Sequence, residues 1–70
     1  MLADVRTVTL SPRQREVASL ICDDMTRLEV ARRLGMSERT VDGHLVSIRT
    51  KTGRASTIAA IVDLVRRGEL

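Results

Sequence analysis

The sequence contains no Phe, Tyr or Trp among its 70 residues. Its core must therefore be built from Leu, Ile, Val, Ala and Met. The same absence argues against binding splayed RNA or single-stranded DNA, which depends on aromatic platforms for base stacking. Double-stranded DNA can be read without them. Cysteine is nearly absent as well. Cys22 stands alone, which excludes a disulfide within the chain. It follows Leu20 and Ile21, so it is expected as a small buried side chain near a helix end, with no adjacent His or basic residue to activate the thiol. One His and one Cys cannot make a metal site of ordinary ligand count. No cofactor is indicated. Long apolar runs are missing too, so the sequence offers neither a membrane span nor a signal-peptide core. A reducing cytoplasm is the expected compartment.

What remains is a short, basic, aliphatic chain. Seventy residues make one domain with one modest core. The net charge is +3, and it is unevenly placed: between Thr26 and Arg54 there are seven basic and three acidic residues, against five basic and six acidic elsewhere. Excess positive charge on one segment is the electrostatic footprint of a phosphate-binding surface, although Arg-rich helices are also often simply solvated.

Helical signals recur along that chain. Met1 to Thr9 has no helical pattern and several β-branched residues, and reads as an extended lead-in or linker stub before a domain over residues 10–70. Ser11, Pro12 and Gln14 make a capping box with proline at the first helical position, opening a helix from Pro12 to about Cys22. Thr26 and Glu29 make a second capping box, opening a helix from about Arg27 to Leu34. Ser37 opens a third, reaching Lys51 or Thr52 with Val41, Leu45 and Ile48 inward, and Gly53 stops it. Ser56 caps a fourth, with Ile58, Ile61, Val62 and Val65 inward, ending before Gly68. The expected fold is all-α: a compact four-helix domain.

Residues 26–45 within it read as a helix-turn-helix. Val30, Ala31, Leu34 and Val41 are spaced to face inward on two short helices, and Gly35 sits in the turn where a positive φ is needed. Such a unit lays its second helix in the major groove of DNA. A catalytic set is not visible: Ser47, His44 and Asp42 lie on one short helix, at spacings that form no nucleophile–base–orienter chain.

The run Leu10-Ser11-Pro12-Arg13-Gln14-Arg15-Glu16-Val17 resembles the opening "LTPRE-x-EV" of LuxR-type (GerE-type) DNA-binding domains of bacterial transcription regulators. Residues Glu29 to Val41 resemble that family's "EIA-x-x-L-x-[IV]-S-x-x-TV", and His44 and the Lys51-x-Gly53 pair fall at its offsets. The likeness covers about residues 10–68. The promoter-reading fourth region of sigma factors has a similar opening, but His44 and the capped fourth helix favour the LuxR type. The sequence departs from the pattern at five places. Asp42 stands where a basic residue is common, Asp24 where Gly is usual, Thr52 where Leu is usual, Arg49 where an aromatic is common and Arg54 where an apolar residue is common.

The resemblance implies a transcription regulator that binds double-stranded DNA through helix three, usually as a dimer through helix four. Asp42, Gly43 and Val46 then occupy the base-facing positions. None is a bidentate donor to guanine; Asp42 suits cytosine N4 and Val46 a thymine methyl. Arg27, Ser37, Arg39, Thr40, Lys51 and Arg54 are the expected phosphate contacts. Ser37 reads equally as a plain cap, and Arg32 and Arg33 equally as solvated surface. His44 and Arg49 are further possible contacts, with His44 more naturally a hydrogen-bonded structural residue. Helix four has more apolar positions than one side of a small core needs, which makes Ile61, Leu64 and Val65 the expected dimer contacts. RNA polymerase or an upstream regulatory domain is the further partner class, and a bacterial cytoplasm, on the nucleoid, the location. The chain reads either as a fragment of a larger regulator or as a protein that stands alone. The competing function is a helix-turn-helix that binds another regulator instead of DNA.

Overall fold

The computed structural model describes residues 8–70. Four helices follow in order: α1 (Pro12–Cys22), α2 (Arg27–Leu34), α3 (Glu38–Thr52) and α4 (Thr57–Arg66). There is no strand among the described residues. The four-helix, all-α expectation is met.

Each helix begins where its cap directs. Ser11 Oγ accepts from the Gln14 N–H at 3.1 Å while Gln14 Oε1 accepts from the Ser11 N–H at 3.0 Å. Thr26 and Glu29 repeat the exchange at 3.1 and 2.8 Å. These bonds, first from the backbone and then from the side chain of Thr26, hold the Glu29 carboxyl below its ordinary pKa. Ser37 and Ser56 each accept one backbone N–H, from Thr40 and Ala59. A cap of this kind stabilises its helix by about 1 kcal/mol.

The helix ends are left-handed turns at Gly35 (φ 67°) and Gly53 (φ 71°). Asp24 takes the same conformation, φ 69°, just after α1. Aspartate tolerates this region better than most side chains but less well than the glycine usual in LuxR-type domains.

α3 packs against all three other helices, and α1 also meets α2. Val17 and Ala18 of α1, Val30 and Ala31 of α2, and Val41, Leu45 and Ile48 of α3 fill the core, joined by Leu10. Thr52 continues the α3 stripe inward, and its hydroxyl donates to the carbonyls of Ile48 (2.9 Å) and Arg49 (3.1 Å). A polar group thus enters the core fully partnered.

Three expectations need correction. The lead-in over residues 1–9 lies outside the described residues except at its end, and there Val8 is buried in the core, so packing begins before Leu10. Cys22 is exposed. Val17 and Ala18 carry the burial of α1 and Ile21 is half-buried, so the next residue, about 100° further round, turns outward. On α4 the inward stripe is Ala60, Ile61 and Leu64, while Ile58 (78%), Val62 (40%) and Val65 (48%) are exposed. α4 packs chiefly on α3, so one narrow stripe is enough, and the stripe containing Ala60 permits close approach. Leu64 is 0% exposed and Ile61 8%, which removes both from the surface as dimer contacts and leaves Val65 there.

Candidate nucleic-acid interface

The outer surface of α3 follows from its core stripe. With Val41, Leu45, Ile48 and Thr52 inward, helical geometry puts Arg39, Gly43, Val46 and Thr50 on the opposite side, and all four are exposed. Gly43 has ordinary helical φ, and a Cβ there would meet nothing within 4 Å. Thr50 was missing from the sequence-based set. Its signal was present: it extends the Gly43–Val46 spacing by one more turn.

The amino end of α3 gathers Ser37, Arg39 and Thr40, all exposed. Ser37 Oγ caps the helix, and the Ser37 and Thr40 hydroxyls share a hydrogen bond at 3.0 Å. Backbone N–H groups and the helix dipole favour an anion at such an end. Arg39 has no pairing partner among the described residues, and neither have Arg32 and Arg33, which are exposed on α2.

Asp42 lies beside the outer stripe, on the flank turned toward α2. Its Oδ1 accepts from Arg27 Nη1 at 2.8 Å, with both side chains about half exposed. This pair joins the first residue of α2 to the fifth of α3. It borders an open cleft of about 650 Å³, floored by Ile21, Met25 and Leu45. Arg49 also lines the cleft, half-buried, with Nη1 donating to Thr57 Oγ1 at 2.9 Å. Where an aromatic is common in the family, this chain fastens α3 to the start of α4.

The other flank of α3 carries His44, Ser47 and Lys51, and it is tied to α1. Gln14 Nε2 donates to Ser47 Oγ at 2.8 Å. Lys51 Nζ donates to Gln14 Oε1 at 2.7 Å and to the Thr9 carbonyl at 3.0 Å. Lys51, expected on phosphate, thus ties α3 to the start of α1 with two of its three donors. The His44 side chain is half-buried and makes no hydrogen bond with the described residues, so the hydrogen bond expected of it is not formed.

Arg54 is also engaged. Its Nη2 meets Asp63 Oδ1 at 3.3 Å, and Arg67 Nε donates to Asp63 Oδ2 at 2.9 Å. Desolvation pushes the Asp63 carboxyl up, but the hydrogen bonds and charges of Arg67 and Arg54 outweigh it and hold the group below its ordinary value. At the far end of the chain, Arg15 on α1 donates to the Glu69 carbonyl and lies 3.7 Å from its carboxylate.

The arrangement is a helix with three capped neighbours behind it and, in front, an uncovered face that carries Arg39 at its amino end. The family described as bacterial regulatory proteins, luxR family, matches residues 8–64. The chain belongs to the LuxR family. It is a helix-turn-helix DNA-binding domain of a transcription regulator, from a family that is not an enzyme class. It is 41% identical over 61 residues to the spore germination protein GerE of Bacillus subtilis, covering 87% of this chain and 82% of that protein. It is 35% identical over 60 residues to a putative HTH-type transcriptional regulator of Mycobacterium bovis, of which it spans 7%. The solved structure of GerE superposes with a TM-score of 0.84 at 34% identity, covering 93% of this chain and 96% of that one. VqmA of Vibrio cholera, solved in a ligand–DNA complex, also gives 0.84, at 29% identity over 97% of this chain and 30% of its own. The LuxR-type unit is thus most of one relative and a small part of others. Among the described residues, no helix is long and apolar enough to cross a membrane.

Proposed function

We propose that α3 lies in the major groove of double-stranded DNA with Gly43, Val46 and Thr50 toward the base edges, Asp42 at their margin and Arg39 at the phosphate end of the same stripe. The observation that carries this reading is the exposed, unpacked stripe on the one helix that every other helix supports. The VqmA complex supports it, because a matching unit there belongs to a DNA-bound protein. Ser37, Arg39 and Thr40 contact phosphates at the amino end of α3, and Arg27, expected among the phosphate contacts, is paired with Asp42 instead. Arg54 and Arg49 lie further along and contribute only by exchanging their present partners. With about three to four phosphates neutralised per copy, log K falls against log salt with a slope near −3.

Two copies meet through α4. Ile58, Val62 and Val65 form its outward apolar stripe at i, i+4 and i+7. The protein then works in the bacterial cytoplasm, on the nucleoid, without cofactor or catalysis, beside RNA polymerase or under an upstream regulatory domain.

Selection of duplexes from a random pool at about 0.15 M salt tests this reading. The expected product is a two-fold motif with half-sites about one helical turn apart. A second reading is favoured by Asp42, Gly43 and Val46, which offer guanine no bidentate donor: the exposed face binds another regulator. Absence of enrichment, with release from heparin at very low salt, would support that alternative.

A further inference from the structure

We propose that the Arg27–Asp42 pair is a selectivity device. It presents Asp42 as an acceptor for an exocyclic amino group on the major-groove edge, cytosine N4 or adenine N6, and withholds the charge of Arg27 from phosphates. The proposal rests on the reading that α3 enters the major groove.

The geometry gives each member one part. Asp42 Oδ1 is occupied by Arg27 at 2.8 Å, whereas Oδ2 accepts nothing from the described residues. A carboxylate has acceptor capacity for several donors, so the second oxygen remains open. Arg27 fixes the carboxylate from α2, an element whose own position is set by the Thr26–Glu29 cap next to it. Asp42 also lies one helical turn before exposed Val46, so the acceptor stands at the edge of the reading stripe.

The electrostatics explain why the pair matters more for recognition than for folding. Exposed ion pairs contribute little to stability. Near DNA, however, a bare Asp42 would repel phosphates, and a free Arg27 would bind them regardless of sequence. Joined, the two charges cancel. Affinity for arbitrary duplex falls, while an amino group at the right base still gains an acceptor. A bond that rewards one partner, combined with charges that do not reward the others, is how specificity exceeds raw affinity. Arg27 is then a positioning residue, and Asp42 the base-reading one.

The test compares wild type, Asp42→Ala, Arg27→Gln and the double variant on mixed-sequence duplex across a salt series. It is repeated on the selected duplex with the base facing Asp42 changed. Both side chains are about half exposed, and circular dichroism verifies that each variant is folded. Asp42→Ala should bind mixed-sequence duplex more tightly, with a slope steeper by about 0.9, because one more cation becomes available to phosphate. The double variant should return to the wild-type slope. Replacing the amino-bearing base by thymine, which presents an acceptor, should weaken wild type by about tenfold and leave Asp42→Ala unchanged. Comparing cytosine with adenine at that position identifies the source of the amino group. Arg27→Gln should blunt the amino preference without abolishing it. The proposal is overturned if Asp42→Ala keeps either the wild-type slope or the wild-type preference while wild type binds normally. If no variant and no wild type binds duplex in a salt-dependent way, the placement of α3 in the groove has failed, and this proposal with it.

Discussion

Replacing Gly43 by Ala separates the folding role of α3 from its reading role. Gly43 sits within α3, in helical conformation, on the exposed stripe. A Cβ added there meets nothing within 4 Å, so no packing opposes it. A glycine inside a helix is less favourable than alanine by about 0.8–1.0 kcal/mol. Gly43→Ala should therefore stabilise the free protein by about 1 kcal/mol and raise Tm by about 4–8 °C, as expected for a domain this small. A glycine kept at this cost is explained if the helix backbone approaches the bases closely, since the added methyl then stands between them. Affinity for a selected duplex should fall by about 1–3 kcal/mol, the scale of one base contact, or its preference should shift toward a thymine methyl. The salt slope should not move, because no charge changes. Urea unfolding followed by circular dichroism measures the first effect, and fluorescence anisotropy on labelled duplex the second. A loss of stability would refute the open space around Gly43. A gain of stability with unchanged affinity and base preference would refute the close approach.

Three further outcomes are expected. Gly35→Ala should cost about 1–2 kcal/mol from the left-handed backbone alone, because the site has room for the methyl; an unchanged urea midpoint would contradict this. Leu64→Ala should cost about 2–5 kcal/mol, whereas Ile58→Ala should change monomer stability by no more than about 0.5 kcal/mol. Ile58→Ala should instead weaken pairing on a two-fold site, and ultracentrifugation showing wild type to be a strict monomer both free and on such a site would count against α4 as the contact. The Asp63 carboxyl titrates below its ordinary value in the folded protein, so its contribution to stability is complete above the unfolded value, about 3.9, and is lost as pH falls through the lower folded value. Asp63→Asn should flatten that acid limb, and an unaltered acid limb would show that the Arg54 and Arg67 contacts do not hold α4.

What was legible in the sequence was mostly local. Ser11 with Gln14, and Thr26 with Glu29, mark helix starts because a cap is a contact three residues long. Gly35 and Gly53 mark ends for a similar reason. The facing of α4 was not legible. Ile58, Val62 and Val65 form as regular an apolar stripe as Ala60, Ile61 and Leu64, and the choice depends on how closely α3 can approach. The electrostatics of the site were also hidden. Lys51 meets Gln14 across 37 positions and Arg27 meets Asp42 across 15, so neither pairing leaves a periodic trace. As a result, a residue expected on phosphate serves as a tie, and an acidic residue that looked out of place has a cation beside it. Thr50 is different, since helical spacing alone was sufficient to include it.

Every DNA contact proposed above follows from α3 lying in the major groove. Chemical methylation of a selected duplex addresses that placement directly, because guanine N7 lies in the major groove and adenine N3 in the minor groove. With the protein bound, guanine N7 should be protected within each half-site while adenine N3 reacts as in free DNA. Protection of adenine N3 with guanine N7 left reactive would contradict it.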